Sequence, residues 1–212
     1  MTQPIKLCGV ILAAGKSSRM GTDKALLPWP PAASDAVTPT GCTLLTAAIA
    51  ALKPVTDFLI VVAGSNAGNL SVIARGSGAS IVQNPAPERG QFSSLHVGLR
   101  EVLARGFSAA AITPVDCPPL SAESLDRLRA AFAQAVSAGK WGVAPENRGR
   151  HGHPLIVARD LIDAFLSAPF TSNAREVRRV HERCIEYIPV PDSLLSVDVN
   201  TPEQYAALPG AT

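Results

Sequence analysis

Two rhythms of apolar residues alternate along this chain. Short runs that are apolar almost throughout fall at 7–12, 58–63, 79–82 and 109–115. Runs without polar alternation mark strands buried on both faces, as in a parallel sheet. Between them, apolar residues recur every three to four positions, the spacing of an amphipathic helix. Leu44, Leu45, Ala48 and Leu52 fall on one side of a predicted helix over 43–52, with Thr43 as its cap and Pro54 as its stop. Leu95, Leu99, Val102 and Leu103 do the same over 92–105. A short helix is expected over 69–75, and a longer one from the cap Ser121 to about 138, with Glu123 and Asp126 near its positive end. Strand alternating with helix predicts an α/β fold, a doubly wound and mostly parallel sheet of Rossmann-like type. In such sheets, ligands lie beyond the carboxyl ends of the strands.

The last third breaks the alternation. Two apolar arms, 141–145 and 154–157, flank the polar stretch 146–153 and predict a hairpin. Helices follow at 161–166 and 173–184, the second carrying Arg175, Arg178, Arg179 and Arg183. Short strands are expected at 185–190 and 195–199, and 202–208 closes the chain. Residues 29–40 are rich in Pro, Ala, Ser and Thr without periodicity and read as a loop.

Composition narrows the picture. The chain has 212 residues, which suits one domain. Hydrophobic residues make up 47% but aromatic ones only 5%, so the core must be built from Ala, Val, Leu and Ile. A net charge of +2, with no basic run interleaved with aromatics, argues against a nucleic-acid surface. No apolar run reaches membrane-spanning length, and residues 1–6 lack the apolar segment of a signal peptide. Cys8, Cys42, Cys117 and Cys184 are scattered singly. That spacing points to a reduced, cytoplasmic chain rather than to disulfides or zinc.

The densest chemistry follows the first strand: Leu12-Ala13-Ala14-Gly15-Lys16-Ser17-Ser18-Arg19-Met20-Gly21-Thr22-Asp23-Lys24. Glycines let backbone N–H groups approach a ligand, serines add hydroxyls, and the cations match a polyphosphate. A Gly-rich turn after a strand is an anion cradle. Neither the P-loop pattern nor Gly-x-Gly-x-x-Gly is present. Asp116, at the end of an apolar strand and before Pro118-Pro119, is a candidate metal ligand or a turn aspartate. Asp198, in Asp-Val-Asn-Thr-Pro, offers a second carboxylate or a cap. Ser93 and Ser94 open a helix, as caps or as ligand contacts, and Asn84 precedes a proline after the third strand. His151 and His153 have no third ligand nearby in sequence, which disfavours zinc. The arginines of 173–184 read as a solvated helix face, with neutralisation of an anionic acceptor or contact with a partner as the alternative.

The pattern Leu-Ala-Ala-Gly-x-Ser-x-Arg-Met-Gly-x-x-Lys over 12–24 resembles the signature of the MobA-like nucleotidyltransferases, most of all the MocA-type molybdenum cofactor cytidylyltransferases. The resemblance spans nearly the whole chain. It implies transfer of a nucleoside monophosphate from an NTP to a phosphorylated acceptor, with release of pyrophosphate. It further implies a nucleotide-binding half at about 1–140 and an acceptor-binding portion at about 141–212. Leu12, Ala13, Ala14, Gly15, Lys16, Ser17, Ser18, Arg19 and Lys24 would bind the nucleotide, with Asn84, Ser93 and Ser94 beside its base and sugar. Lys24, Arg19 and Asp116 would be catalytic, and Asp116 and Asp198 would hold Mg²⁺. His153, in Gly-His-Pro, would border the acceptor. Ala14, where GTP-using relatives tend to have glycine, points to CTP. The implied partners are CTP, molybdopterin and a molybdoenzyme that receives the product. Two other readings stay open: a transferase using GTP or acting on a sugar or polyol phosphate, and a non-catalytic nucleotide-binding regulator or cofactor-insertion chaperone.

Overall fold

The computed structural model describes residues 5–17, 19–31 and 42–208. Ser18 and most of the 29–40 loop lie outside them. The ends of that loop are joined: Pro28 and Thr43 form an antiparallel bridge, and Trp29 N–H donates to Cys42 at 3.1 Å.

The first two-thirds of the chain alternates as expected. Strand β1 (Cys8–Ala13) leads to helix α1 (Leu44–Leu52), β2 (Phe58–Ala63), α2 (Ala67–Gly76), β3 (Ser80–Gln83), α3 (Gln91–Ala104), β4 (Ala109–Pro114) and α4 (Ala122–Ser137). The four strands are parallel in the order β3-β2-β1-β4. Thr43 caps α1 in a reciprocal box with Thr46, and the Ser121 hydroxyl caps α4.

Burial on both faces explains the apolar runs of β1, β2 and β4, whereas β3, at the sheet edge, is only partly buried. Ile11 and Ala13 of β1 join one core with Leu45 of α1, Leu70 of α2 and Leu128 of α4. Val10 and Leu12 join the opposite core with Leu95 and Leu99 of α3. Helix α3 lies very close to the sheet at Gly98, where a Cβ would fall 2.7 Å from Val10 Cγ1. Cys8 is among the buried residues, and burial pushes its thiol up to about 12.

The remaining elements are β5 (Gly142–Asn147), β6 (Arg150–His151), β7 (Leu155–Ala158), α5 (Arg159–Ser167), α6 (Ala174–Val180), β8 (Ile185–Pro189) and α7 (Pro202–Ala206). The expected hairpin forms, with β5 antiparallel to β7. Arg148 and Gly149 turn β5 into β6 with φ of 51° and 77°, the left-handed pair of a tight hairpin turn. Strand β7 pairs antiparallel with β4 and so extends the parallel sheet. Strand β8 runs parallel to β5.

Two expectations fail here. The predicted strand at 195–199 is a 3-10 turn, Ser193–Ser196, followed by an extended tail without a ladder. Asp192 begins that turn by accepting from both the backbone and the hydroxyl of Ser121, each at 3.0 Å. The predicted helix at 173–184 ends at Val180 and resumes as a 3-10 turn, Glu182–Cys184. His181, the residue at the break, packs against Trp141 with ring centroids 5.1 Å apart. Among the described residues, no helix is long and apolar enough to cross a membrane.

Candidate active site

The cradle loop leaves β1 at Ala13 and is tied down by a residue outside it. The Asn66 side chain accepts from Gly64 N–H at 2.9 Å and donates to the Ala13 carbonyl at 3.0 Å and to Asp23 at 2.7 Å. The other Asp23 oxygen caps the 3-10 turn Lys24–Leu26 by accepting from Ala25 N–H. Ser17, at φ 49°, accepts from Lys24 N–H at 3.1 Å. Gly64 has to be glycine, because a Cβ there would meet the Ala14 carbonyl at 2.8 Å. The expected ligand residues 12–17 and 24 thus face one cavity of about 270 Å³, together with Ser94 and Asp116.

Lys24 is the hub of this cavity. Its ammonium lies 2.9 Å from Asp116 Oδ2 and 2.9 Å from Asn200 Oδ1. Only 12% of its side chain is exposed. Arg19 approaches the same Asn200 oxygen at 3.4 Å but is itself exposed. Asp198 sits differently. It is exposed, and its Oδ1 accepts from the Cys117 thiol at 3.2 Å. Burial first, then the Asp198 and Asp116 charges, push that thiol well above its usual range and keep it a neutral donor. Val199 N–H donates to the Asp116 carbonyl at 2.9 Å, which holds the tail beside the end of β4. The oxygen that shares Lys24 with Asp116 therefore comes from Asn200, a residue the sequence reading passed over within the Asp-x-Asn-Thr-Pro segment.

Asn84, Ser93 and Ser94 come together as predicted but are bound to one another. Asn84 donates to the Ser93 and Ser94 hydroxyls at 2.9 and 3.0 Å and accepts from Ala86 N–H at 2.9 Å. Ser93 hydrogen-bonds the Gly90 carbonyl at 2.7 Å. All three are buried, and of the three only Ser94 lines the cradle cavity.

A second cavity, of about 940 Å³, shares Leu12, Gly90 and Gln91 with the first. His153 and Asp198 line it. His153 Nδ1 lies 3.2 Å from the Ile112 carbonyl. A carbonyl can only accept, so Nδ1 carries the proton and Nε2 is left as an acceptor. Burial holds this imidazole below its ordinary pKa, and hence neutral near pH 7. His153 is thus suited to take a hydrogen bond from a ligand rather than to neutralise a phosphate. The arginine stripe departs from expectation: Arg175, Arg178 and Arg179 line this cavity together with Arg89. His151 and Tyr187 stack on its wall with centroids 3.7 Å apart and planes within 12°.

The sequence profile of the MobA-like NTP transferase domain matches residues 9–185. The chain belongs to that family. This MobA-like transferase is 33% identical to the probable molybdenum cofactor guanylyltransferase of Rhodopirellula baltica, over 94% of this chain and 90% of that protein. It is 23% identical to the molybdenum cofactor cytidylyltransferase of Escherichia coli, over 92% of each chain. A nucleotidyl transferase from Methanothermobacter thermautotroptrophicus shares the fold with a TM-score of 0.73, at 22% identity and covering 95% of this chain and 94% of that one. The chain is accordingly an enzyme, a nucleotidyltransferase of Rossmann-like α/β architecture.

Proposed function

We propose that this enzyme acts in the cytoplasm, transferring CMP from CTP to the phosphate of molybdopterin-type cofactor, with release of pyrophosphate and delivery of the product to a molybdoenzyme. The observation that carries the reading is Lys24, which lines the cradle cavity with Asp116 and is held between Asp116 and Asn200. A triphosphate laid on residues 14–17 would draw the Lys24 ammonium to its leaving end, where charge grows as the bond breaks. Arg19 is exposed near Asn200 and free to turn to the same phosphates. The attacking oxygen of a phosphate monoester is already ionised at neutral pH. Alignment and charge neutralisation are then the main requirements.

Mg²⁺ fits the same place. Two oxygen donors already surround one cation, the Lys24 ammonium, and hard oxygens are what Mg²⁺ takes. Asp116 would hold it, joined by Asp198 or Asn200 from the tail, and the bound ion would supply Lewis-acid stabilisation of phosphate charge.

Ala14 supports CTP, because its methyl stands in the wall of the smaller cavity. The guanylyltransferase name of the relative at 33% identity favours a second reading, with GTP. Pyrophosphate release measured with each of the four NTPs, against molybdenum-loaded pterin, metal-free pterin and sugar phosphates, tests both. CTP with molybdenum-loaded pterin is expected to be fastest. A preference for GTP moves the assignment to the second reading, and a preference for sugar phosphates overturns the acceptor.

A further inference from the structure

Among the described residues, the arginines of α6 form no side-chain hydrogen bond or ion pair. Arg175, Arg178 and Arg179 stand at i, i+3 and i+4, hence on one side of the helix, and all three line the large cavity. Among the described residues, none forms an ion pair with a carboxylate. The helix's own Glu176 is engaged with Asn173 in the capping box. Arg178 Nε is completely buried and meets no hydrogen-bond partner. Like charges at this spacing repel, and a buried donor without an acceptor destabilises the fold. Stability alone would not select this arrangement.

The nucleotide does not need these cations. Its phosphates have the cradle, with Lys16, Lys24 and the nearby Arg19. A single reacting phosphate at Asp116 and Asn200 does not need three more guanidiniums from another element. Guanidinium forks match tetrahedral or planar oxyanions in two-point contacts. The same cavity also carries the flat ledge of His151 and Tyr187.

We propose that Arg175, Arg178 and Arg179 form a second anion site that selects an acceptor carrying, besides its reacting phosphate, another compact anionic group on a planar ring system. This rests on the proposed function, with the acceptor taken to lie in the large cavity that His153 lines. Arg178 is the central residue, because its Nε is already buried and lacks only an acceptor.

Two measurements decide it. In the first, the cradle is filled with a non-hydrolysable CTP analogue, and inorganic molybdate is titrated by calorimetry. Arg178→Gln should weaken molybdate binding about tenfold or more, with Arg175→Gln and Arg179→Gln weakening it less. Arg183→Gln, on the same stretch but outside the cavity lining, should leave it unchanged. Equal binding by wild type and Arg178→Gln, or no binding by either, overturns the site. In the second, KM and kcat are compared for molybdenum-loaded and metal-free pterin. Arg178→Gln should raise KM for the loaded acceptor about tenfold with little change in kcat, leave KM for the metal-free one nearly unchanged, and be partly rescued by Arg178→Lys. Equal rises for both acceptors would mean that Arg178 holds a common part of the molecule, and the selection is wrong. If neither pterin is a substrate, the proposed function fails, while the molybdate titration still decides the anion site.

Discussion

The two sides of the active site are built on opposite principles. On the nucleotide side, polar side chains are satisfied within the protein: Asn66 by Ala13 and Asp23, Asn84 by Ser93 and Ser94, Lys24 by Asp116 and Asn200. On the side of the larger cavity, Arg175 and Arg179 have no carboxylate partner among the described residues, and Arg178 leaves a buried nitrogen unpaired. A site held by its own hydrogen bonds is preorganised, so little ordering is needed when the ligand arrives. A site of unpaired charges waits for its counter-ion and discriminates by it. If the larger cavity takes the acceptor, as proposed, shared chemistry would rest on the rigid side and acceptor choice on the one with unpaired arginines.

The strongest test of the rigid side is Asp116→Ala. The side chain is 24% exposed and lies past the end of β4, so its removal leaves the core untouched. Transfer at saturating Mg²⁺ should fall at least about 1,000-fold, since a bound metal contributes several kcal/mol of charge stabilisation. Near-normal turnover in a pyrophosphate-release assay would remove Asp116 from the mechanism.

Lys24→Ala comes next. A cation on the departing pyrophosphate acts in the transition state as well as in binding. Maximal rate should therefore drop about 100-fold while the NTP requirement rises. If only the KM for NTP changes, Lys24 is a binding residue and the leaving-group role is wrong.

The contrast itself can be broken with a stability pair. Asn84→Ala removes the shared donor of two buried serine hydroxyls and the acceptor of the Ala86 N–H, although Ser93 keeps its bond to the Gly90 carbonyl. That should cost about 2 kcal/mol, or roughly 4–8 °C in Tm for a chain of this size. Arg178→Gln removes a buried unpaired donor and a like-charge neighbour, so its Tm should hold or rise slightly. Thermal melts of both variants check this. A fall for Arg178→Gln as large as that for Asn84→Ala would erase the distinction between the two sides.

The same division governs what the sequence disclosed. The runs at 58–63 and 109–115 were legible because strands β2 and β4 bury both faces, which leaves Thr113 as their one polar side chain. The cradle was legible because its chemistry is contiguous. Asn66 and Asn200 were not, because each acts on residues far away in the chain and looks locally like a loop asparagine. The 195–199 segment alternates like a strand, yet no ladder receives it once β8 lies along β5. Periodicity put Arg175, Arg178 and Arg179 on one helix face. It carried no information about whether water or a cavity lay opposite.

Base choice is a finer test within the cradle. Ala14 is buried in the cavity wall. Ala14→Gly removes one methyl, and methyl-sized changes alter discrimination by about 1–3 kcal/mol. The ratio of GTP to CTP kcat/KM should rise, with some loss of CTP efficiency from the freer backbone. An unchanged ratio, measured with one acceptor, would mean that the base is read elsewhere.

The smallest expected effect is a pH dependence that reaches beyond the site. His96 on α3 is buried between Phe92 and Phe170, with ring centroids at 4.6 and 4.8 Å. Burial lowers its pKa first, the Arg100 charge lowers it further, and the Phe165 backbone opposes them weakly. The unfolded chain, with an ordinary imidazole near 6.5, therefore binds the proton more readily than the native state. His96 contributes no pH dependence well above that value. As pH falls through about 6.5, the unfolded state gains protons and stability declines, and the loss levels off once the native imidazole also titrates. His153 follows the same sign through its own burial. Replacing His96 by Phe keeps an aromatic ring between its two neighbours and removes one of the two titrating groups. Melting temperatures followed from pH 8 to pH 5 should then decline less steeply for His96→Phe than for wild type. Parallel curves would show that His96 is already protonated in the native state, or that it exchanges its proton without unfolding.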